Sequence, residues 1–141
     1  MKKIIGLTVA VILSVLLLLF FVSCSVVDTE GAWGDALYTE DTELGSGAKT
    51  VKVEVIVGDK SVTLTLNTDA DTLGEALFEH GLIDGDEGEF GLYVKVVNGI
   101  TADYDADKSY WGFYKNGEYM MTGVDGTAIS GGESYELVYS K

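Results

Sequence analysis

The chain contains no arginine and no proline, and only one cysteine and one histidine among its 141 residues. Without arginine there is no planar guanidinium fork to grip a phosphate or a carboxylate through two parallel hydrogen bonds. One cysteine, Cys24, rules out an intrachain disulfide, so a small domain must stand on its core alone. One histidine, His80, is the single imidazole around which a Ser-His-Asp or Cys-His set could be built. Zinc-type ligand spacing is missing. Basic residues are scarce as well: nine lysines face 23 acidic residues, for a net charge of −14. Such a charge repels nucleic acid and anionic headgroups and favours cations or neutral partners. Carboxylates this abundant are no evidence for glycoside chemistry, which needs two at a set separation. The expectation is a protein that is not an enzyme.

The longest apolar run is at the start. In "MKKIIGLTVAVILSVLLLLFFVSC", Lys2 and Lys3 precede an apolar stretch from Ile4 to Val22, followed by Ser23 and Cys24. A basic start, an apolar middle and small residues at the break are the parts of a secretory signal. The run is also long enough to span a bilayer uncleaved. "FVSC" resembles the lipobox of bacterial lipoproteins, with Phe21 where leucine is usual and Cys24 as the lipidated residue. That resemblance implies a signal peptide over 1–23 and export. It also implies a lipid anchor on the outer face of the bacterial cell membrane, held stably by two or more acyl chains. Residues 24–49 read as an acidic tether kept extended by like charges, and residues 50–141 as the domain. Trp33, Leu37 and Tyr38 are out of character in a tether and could dock on the domain.

In that domain "VKVEVIV" alternates, with Val51, Val53, Val55 and Val57 on one face, and "VTLTLN" repeats the pattern with Val62, Leu64 and Leu66. Period two over such lengths predicts half-buried strands, joined as a hairpin by the glycine-containing "GDKS". "DTLGEALFEHGL" predicts a short helix. Thr72 and Glu75 form a capping box, and Gly81 followed by Leu82 makes a Schellman-type stop. "IDGDEGEFG" reads as a glycine-rich acidic loop; it has no lysine to serve as a phosphate cradle. "LYVKVVNG" predicts a strand, "ITADYDADKS" a loop, "YWGFYKNGEYMMTG" a hairpin and "SYELVYS" the last strand. The sum is an α+β domain: an antiparallel sheet with one helix packed on it, β-grasp-like. Its core is drawn from the valine and leucine faces, Leu77 or Phe78, Leu137 and part of the hairpin.

The hairpin is the unusual part. Asn116-Gly117 is a strong two-residue turn signal and fixes Lys115 opposite Glu118 and Tyr114 opposite Tyr119. Alternation then puts Trp111, Phe113 and Met120 on one face, expected as core, with the opposite assignment left open by the sequence. Tyr110, Tyr114, Tyr119 and Met121 fall on the other, where tyrosine can keep its hydroxyl wet while its ring is covered.

"YWGFYKNGEY", "GVD" and "GESYELVY", preceded by the "DTLGEALFEHGL" helix, resemble the carboxy-terminal β domain of transcobalamin and intrinsic factor. They resemble more closely a bacterial family of exported proteins of unknown function built on that domain, and the resemblance covers about residues 50–141. In transcobalamin-type proteins the domain closes over one side of a corrinoid while a larger helical domain holds the other. No segment before residue 50 reads as that helical domain. The resemblance implies the fold and, as a ligand, cobalamin or a related planar or amphipathic molecule passed to a membrane transporter subunit. Tyr110, Trp111 and Tyr114 lie in the family's aromatic strand, and with Tyr119 they are the candidate ligand-binding residues. The competing expectation is a cell-surface protein-interaction or structural module whose aromatic face packs on a second protein or on its own tether.

Two other constellations invite a metal. Asp103, Asp105 and Asp107 alternate as an EF-hand loop begins, but Lys108 replaces the glycine and Tyr114 the bidentate glutamate, so a solvated loop is expected, with a weak calcium site shared with Asp84, Asp86, Glu87 and Glu89 as the alternative. His80 could serve a corrinoid as an axial ligand. Its place at the helix end beside Gly81 favours a stabilising role on the helix dipole.

Overall fold

The computed structural model describes residues 29–141. The expected signal peptide and Cys24 lie outside the described residues. Two long strands start the sheet. β2 (Lys49–Val57) and β3 (Lys60–Thr68) form the expected hairpin, with Val55 opposite Val62 and Val53 opposite Leu64. All the valines and leucines of the predicted inward face are buried. Ahead of them come α1 (Thr29–Trp33) and β1 (Thr42–Leu44), and after them α2 (Leu73–Glu79). β4 (Ile83–Gly88), β5 (Gly91–Val97) and β6 (Ile100–Thr101) form a three-stranded antiparallel sheet. α3 (Tyr104–Asp107) leads into β7 (Tyr110–Lys115), β8 (Glu118–Tyr119), a 3-10 turn (Val124–Gly126) and β9 (Ser134–Ser140). The main sheet has the order β1-β3-β2-β9-β7-β8. Among the described residues no helix is long and apolar enough to cross a membrane.

The helix α2 forms as its sequence dictates. The Thr72 hydroxyl accepts the Glu75 N–H at 3.3 Å, and the Glu75 carboxylate reaches back to the Asp71 N–H at 3.1 Å. At the other end Leu82 N–H bonds Leu77 C=O and Gly81 N–H bonds Phe78 C=O, both at 3.0 Å, with Gly81 at φ +64°. That is the Schellman pattern. Leu73, Ala76 and Leu77 face the core, and Phe78 is half exposed.

The α+β architecture is as expected, but three details differ. First, the main sheet is mixed rather than antiparallel: β9 runs parallel to β2 and β1 parallel to β3. Strand composition carries no signal for this, because valine faces pair equally well in either direction.

Second, 83–91, expected as a loop, holds β4. Ile83 is buried opposite Val97, and a register shift at Asp84/Gly85 lets Asp86 ion-pair with Lys95 while the remaining acids stay in water. Pairing with β5 thus overrides a composition poor in strand formers.

Third, residues 29–48, expected as part of an extended tether, fold onto the domain. Trp33, Tyr38 and Leu44 pack against the core, and β1 adds to the sheet edge. The latch is Asn98. It is fully buried at φ +51°, its side-chain oxygen accepts Tyr38 N–H at 3.0 Å, and its amide nitrogen donates to Tyr38 C=O at 2.9 Å. Its own C=O accepts Leu37 N–H at 2.9 Å.

Candidate functional site

The Asn116-Gly117 turn sets the hairpin register read from the sequence, with Lys115 opposite Glu118 and Tyr114 opposite Tyr119. β8 then stops. Met120 N–H still bonds Phe113 C=O at 2.9 Å, but beyond it the chain bends away towards the 3-10 turn. The two faces sort as alternation demands. Trp111 and Phe113 are both only 8% exposed and join the core, with Met120 packed beside them. Phe113 stacks on Tyr135 with ring centroids 5.8 Å apart, and Trp111 meets Tyr139 edge-on at 5.5 Å. On the other face Tyr110 is 42%, Tyr119 62% and Met121 92% exposed. Tyr114 meets Tyr119 edge-on at 5.5 Å. It lies flat over Gly112, where a Cβ would come within 3.0 Å of its ring.

A cleft of about 380 Å³ opens beside the free end of β7. Its floor is Trp111, Phe113, Leu137 and Val124; one wall is Phe90 and Leu92–Val94 of the β4–β5 hairpin, and the other is Tyr119–Gly123. Of the candidate residues, Tyr110, Trp111 and Tyr119 line it, and Tyr114 stands outside and braces Tyr119. Phe90, 94% exposed at the rim, was not singled out by the sequence. A large aromatic ring inside an acidic glycine turn was the available signal.

Asp125 ties the walls together. Its Oδ2 accepts Leu92 N–H at 3.1 Å. A Cβ on Gly91 or Gly123 would lie within 3.0 Å of its carboxylate oxygens, and one on Gly74 would touch its main chain. Three glycines from three segments therefore make room for one aspartate.

A polar cluster closes the turn end of β7. Lys115 pairs with Glu133, which also accepts Ser130 N–H. The hydrogen bond from Lys115 holds the Glu133 carboxyl below its usual value and raises the Lys115 ammonium. Burial pushes the neighbouring Tyr135 phenol up.

The two acidic loops meet around Lys95, which ion-pairs with Asp86 and is raised further by the charges of Asp103 and Asp105. Asp103 caps α3 by accepting Asp105 N–H at 3.1 Å and Ala106 N–H at 3.2 Å, and Asp107 bonds Ser109 and Lys141. The Ser109 hydroxyl is the chief cause that lowers the Asp107 carboxyl. Among the described residues no three histidine, cysteine or acidic side chains gather as metal ligands. His80 caps α2 with its Nε2 buried against Gly45 and does not line the cleft.

A family model described as "Domain of unknown function (DUF4430)" matches residues 70–141. No curated protein matches the chain. Among solved structures, a protein from Ruminococcus gnavus ATCC 29149, provisionally described as metal binding, is 38% identical. The alignment covers 67% of this chain and 98% of that one, with a TM-score of 0.63. Haptocorrin in complex with Cbi aligns at 18% identity and a TM-score of 0.56, over 70% of this chain and 26% of haptocorrin. At that identity the likeness is one of fold.

Proposed function

The chain belongs to the DUF4430 family of transcobalamin-like C-terminal domains, and from that premise we propose that it binds a planar or amphipathic small molecule of the corrinoid type in the aromatic cleft. The observation that carries this reading is the cleft itself, in which Tyr110, Trp111 and Tyr119 meet Phe90 and the β5 wall around about 380 Å³. Ring surface at a concave, mostly apolar site is what a flat ligand needs. The cleft is too small to enclose a corrinoid, so it covers one side or edge of the macrocycle. The fold shared with haptocorrin, a protein seen with Cbi, supports the ligand class. A second polypeptide then covers the other side, and a membrane transporter subunit is the partner that suits a domain carried outside the cell. In this reading Cys24 carries the lipid that keeps the domain at the outer face of the membrane, and the protein delivers its ligand without transforming it.

Equilibrium dialysis of the full chain in detergent micelles against Cbi and cobalamin tests it. Saturable binding at micromolar ligand that weakens at least tenfold in Tyr119→Ala supports the reading. Absence of saturable binding up to high micromolar ligand removes it.

A further inference from the structure

We propose that the unpaired edge of β7 is a docking edge for an extended, cationic segment of a partner protein. β8 stands beside Tyr114 and Lys115 alone, and Met120 adds one last bond to the Phe113 carbonyl. Among the described residues no strand is hydrogen-bonded to Tyr110, Trp111 and Gly112 on that side, and β5 faces this edge across the cleft without pairing with it. Main-chain groups alternate in direction along an antiparallel strand. The Phe113 carbonyl points towards β8, so the Trp111 N–H and C=O, two residues back, point the same way, out of the sheet. An open edge of this kind is a template for another strand, and proteins usually blunt it with charge, proline or a bulge. The opposite edge of the sheet is blunted: β1 has three residues with Glu43 at its centre. The Tyr110–Phe113 edge carries no charge and no proline.

Strand addition draws affinity from main-chain bonds and selectivity from seats for alternate side chains. Both are present. Side chains of an added strand that turn inward meet Trp111, Phe113 and Met120, and those that turn outward meet Tyr110 and Tyr119. Phe90 and Met121, 94% and 92% exposed, stand on either side as apolar jaws. Charge selects the occupant. Glu87, Glu89, Glu118 and Asp125 are exposed on the segments that frame the cleft. Of the nearby lysines, Lys115 pairs with Glu133, Lys95 with Asp86 and Lys141 with Asp107, while Lys108 lies over the Tyr104 ring. A segment alternating lysine or arginine with apolar residues fits this frame. The inference goes beyond the small-molecule reading, because it concerns the main-chain edge rather than the rings and needs no ligand.

The test is fluorescence anisotropy on the full chain in detergent micelles, with a labelled Lys-Val-Lys-Val-Lys-Val-Lys peptide as probe. The expected result is saturable binding that falls at least tenfold when alternate peptide amides are N-methylated, and that is lost when glutamate replaces lysine. The Trp111 and Phe113 amides should gain protection from hydrogen exchange. Phe90→Ser with Met121→Ser, two side chains almost wholly in water, should keep the fold and weaken the peptide severalfold. Equal binding of the N-methylated peptide, unprotected Trp111 and Phe113 amides, or no binding at millimolar peptide overturns the inference. Corrinoid binding without peptide binding sinks this inference alone, and the reverse pattern sinks the small-molecule reading alone.

Discussion

Asp125 Oδ2 accepts the main-chain N–H of Leu92 at 3.1 Å, joining the turn after the aromatic hairpin to the wall of β5 across 33 residues of sequence. The bond holds the β5 wall of the cleft to the turn that carries Val124 of its floor. Asp125→Ala leaves the Leu92 N–H without its acceptor and opens space among Gly74, Gly91 and Gly123. The expected cost is about 1–2 kcal/mol of stability, read as a lower urea midpoint, with ligand affinity falling more than stability alone explains. Asp125→Asn keeps an acceptor and should recover most of both.

The Asn98 latch predicts that the folded unit begins well before residue 50. Asn98→Ala strips two hydrogen bonds from Tyr38 and places alanine at φ +51°. Each buried group left unsatisfied costs about 1–3 kcal/mol, and a left-handed backbone adds to that. Proteolysis should then cut between Gly34 and Ser46 in Asn98→Ala but not in the parent chain. Equal resistance of the two would show that the segment is held by something other than Asn98.

Stability should depend on pH through the Lys115–Glu133–Tyr135 cluster. The folded Glu133 value lies below the ordinary 4.5, so its contribution is present above that pH and is lost as pH falls through the folded value. Lys115 is held above 10.5 and Tyr135 above 10.0, so theirs are present below those values and are lost as pH rises through the folded ones. Glu133→Gln should flatten the acid limb of a plot of urea midpoint against pH, and Lys115→Met should flatten both limbs. An acid limb unchanged in Glu133→Gln would place the titrating group elsewhere.

Much of the fold was legible because its signals are local. The valine and leucine alternation of β2 and β3 predicted their buried faces, Thr72 and Gly81 bounded α2, and Asn116-Gly117 fixed the register that set Trp111 and Phe113 on one face, though not which face is buried. Strand direction was not legible, since it depends on which strands meet. Nor was β4: its glycines and acids look like a loop until β5 lies beside them. The docked 29–48 segment was half legible. Trp33, Leu37 and Tyr38 stand out of place in a tether, but the residue that holds Leu37 and Tyr38 is Asn98, sixty positions from Tyr38. At the site, the aromatic strand stood out at once. The opposing wall around Phe90 and the Asp125 tie are made by contacts between distant segments, which no short window contains.

Gly112 offers a narrower check. A methyl group there would meet the Tyr114 ring within 3.0 Å, so Gly112→Ala should lift Tyr114 and loosen Tyr119. Stability should drop by roughly 1 kcal/mol, in the range of other overpacking changes, and ring-current shifts at Tyr119 should shrink. Unmoved Tyr119 resonances would show that Tyr114 does not brace it.

The most direct test of the ligand cleft uses the two tryptophans, Trp33 on the docked segment and Trp111 on the cleft floor. Their indole N–H resonances, followed in the full chain during titration with Cbi, report the two places separately. The account predicts a saturable shift of the Trp111 signal while that of Trp33 stays in place. A titration in which neither signal moves, or in which both move together, contradicts it.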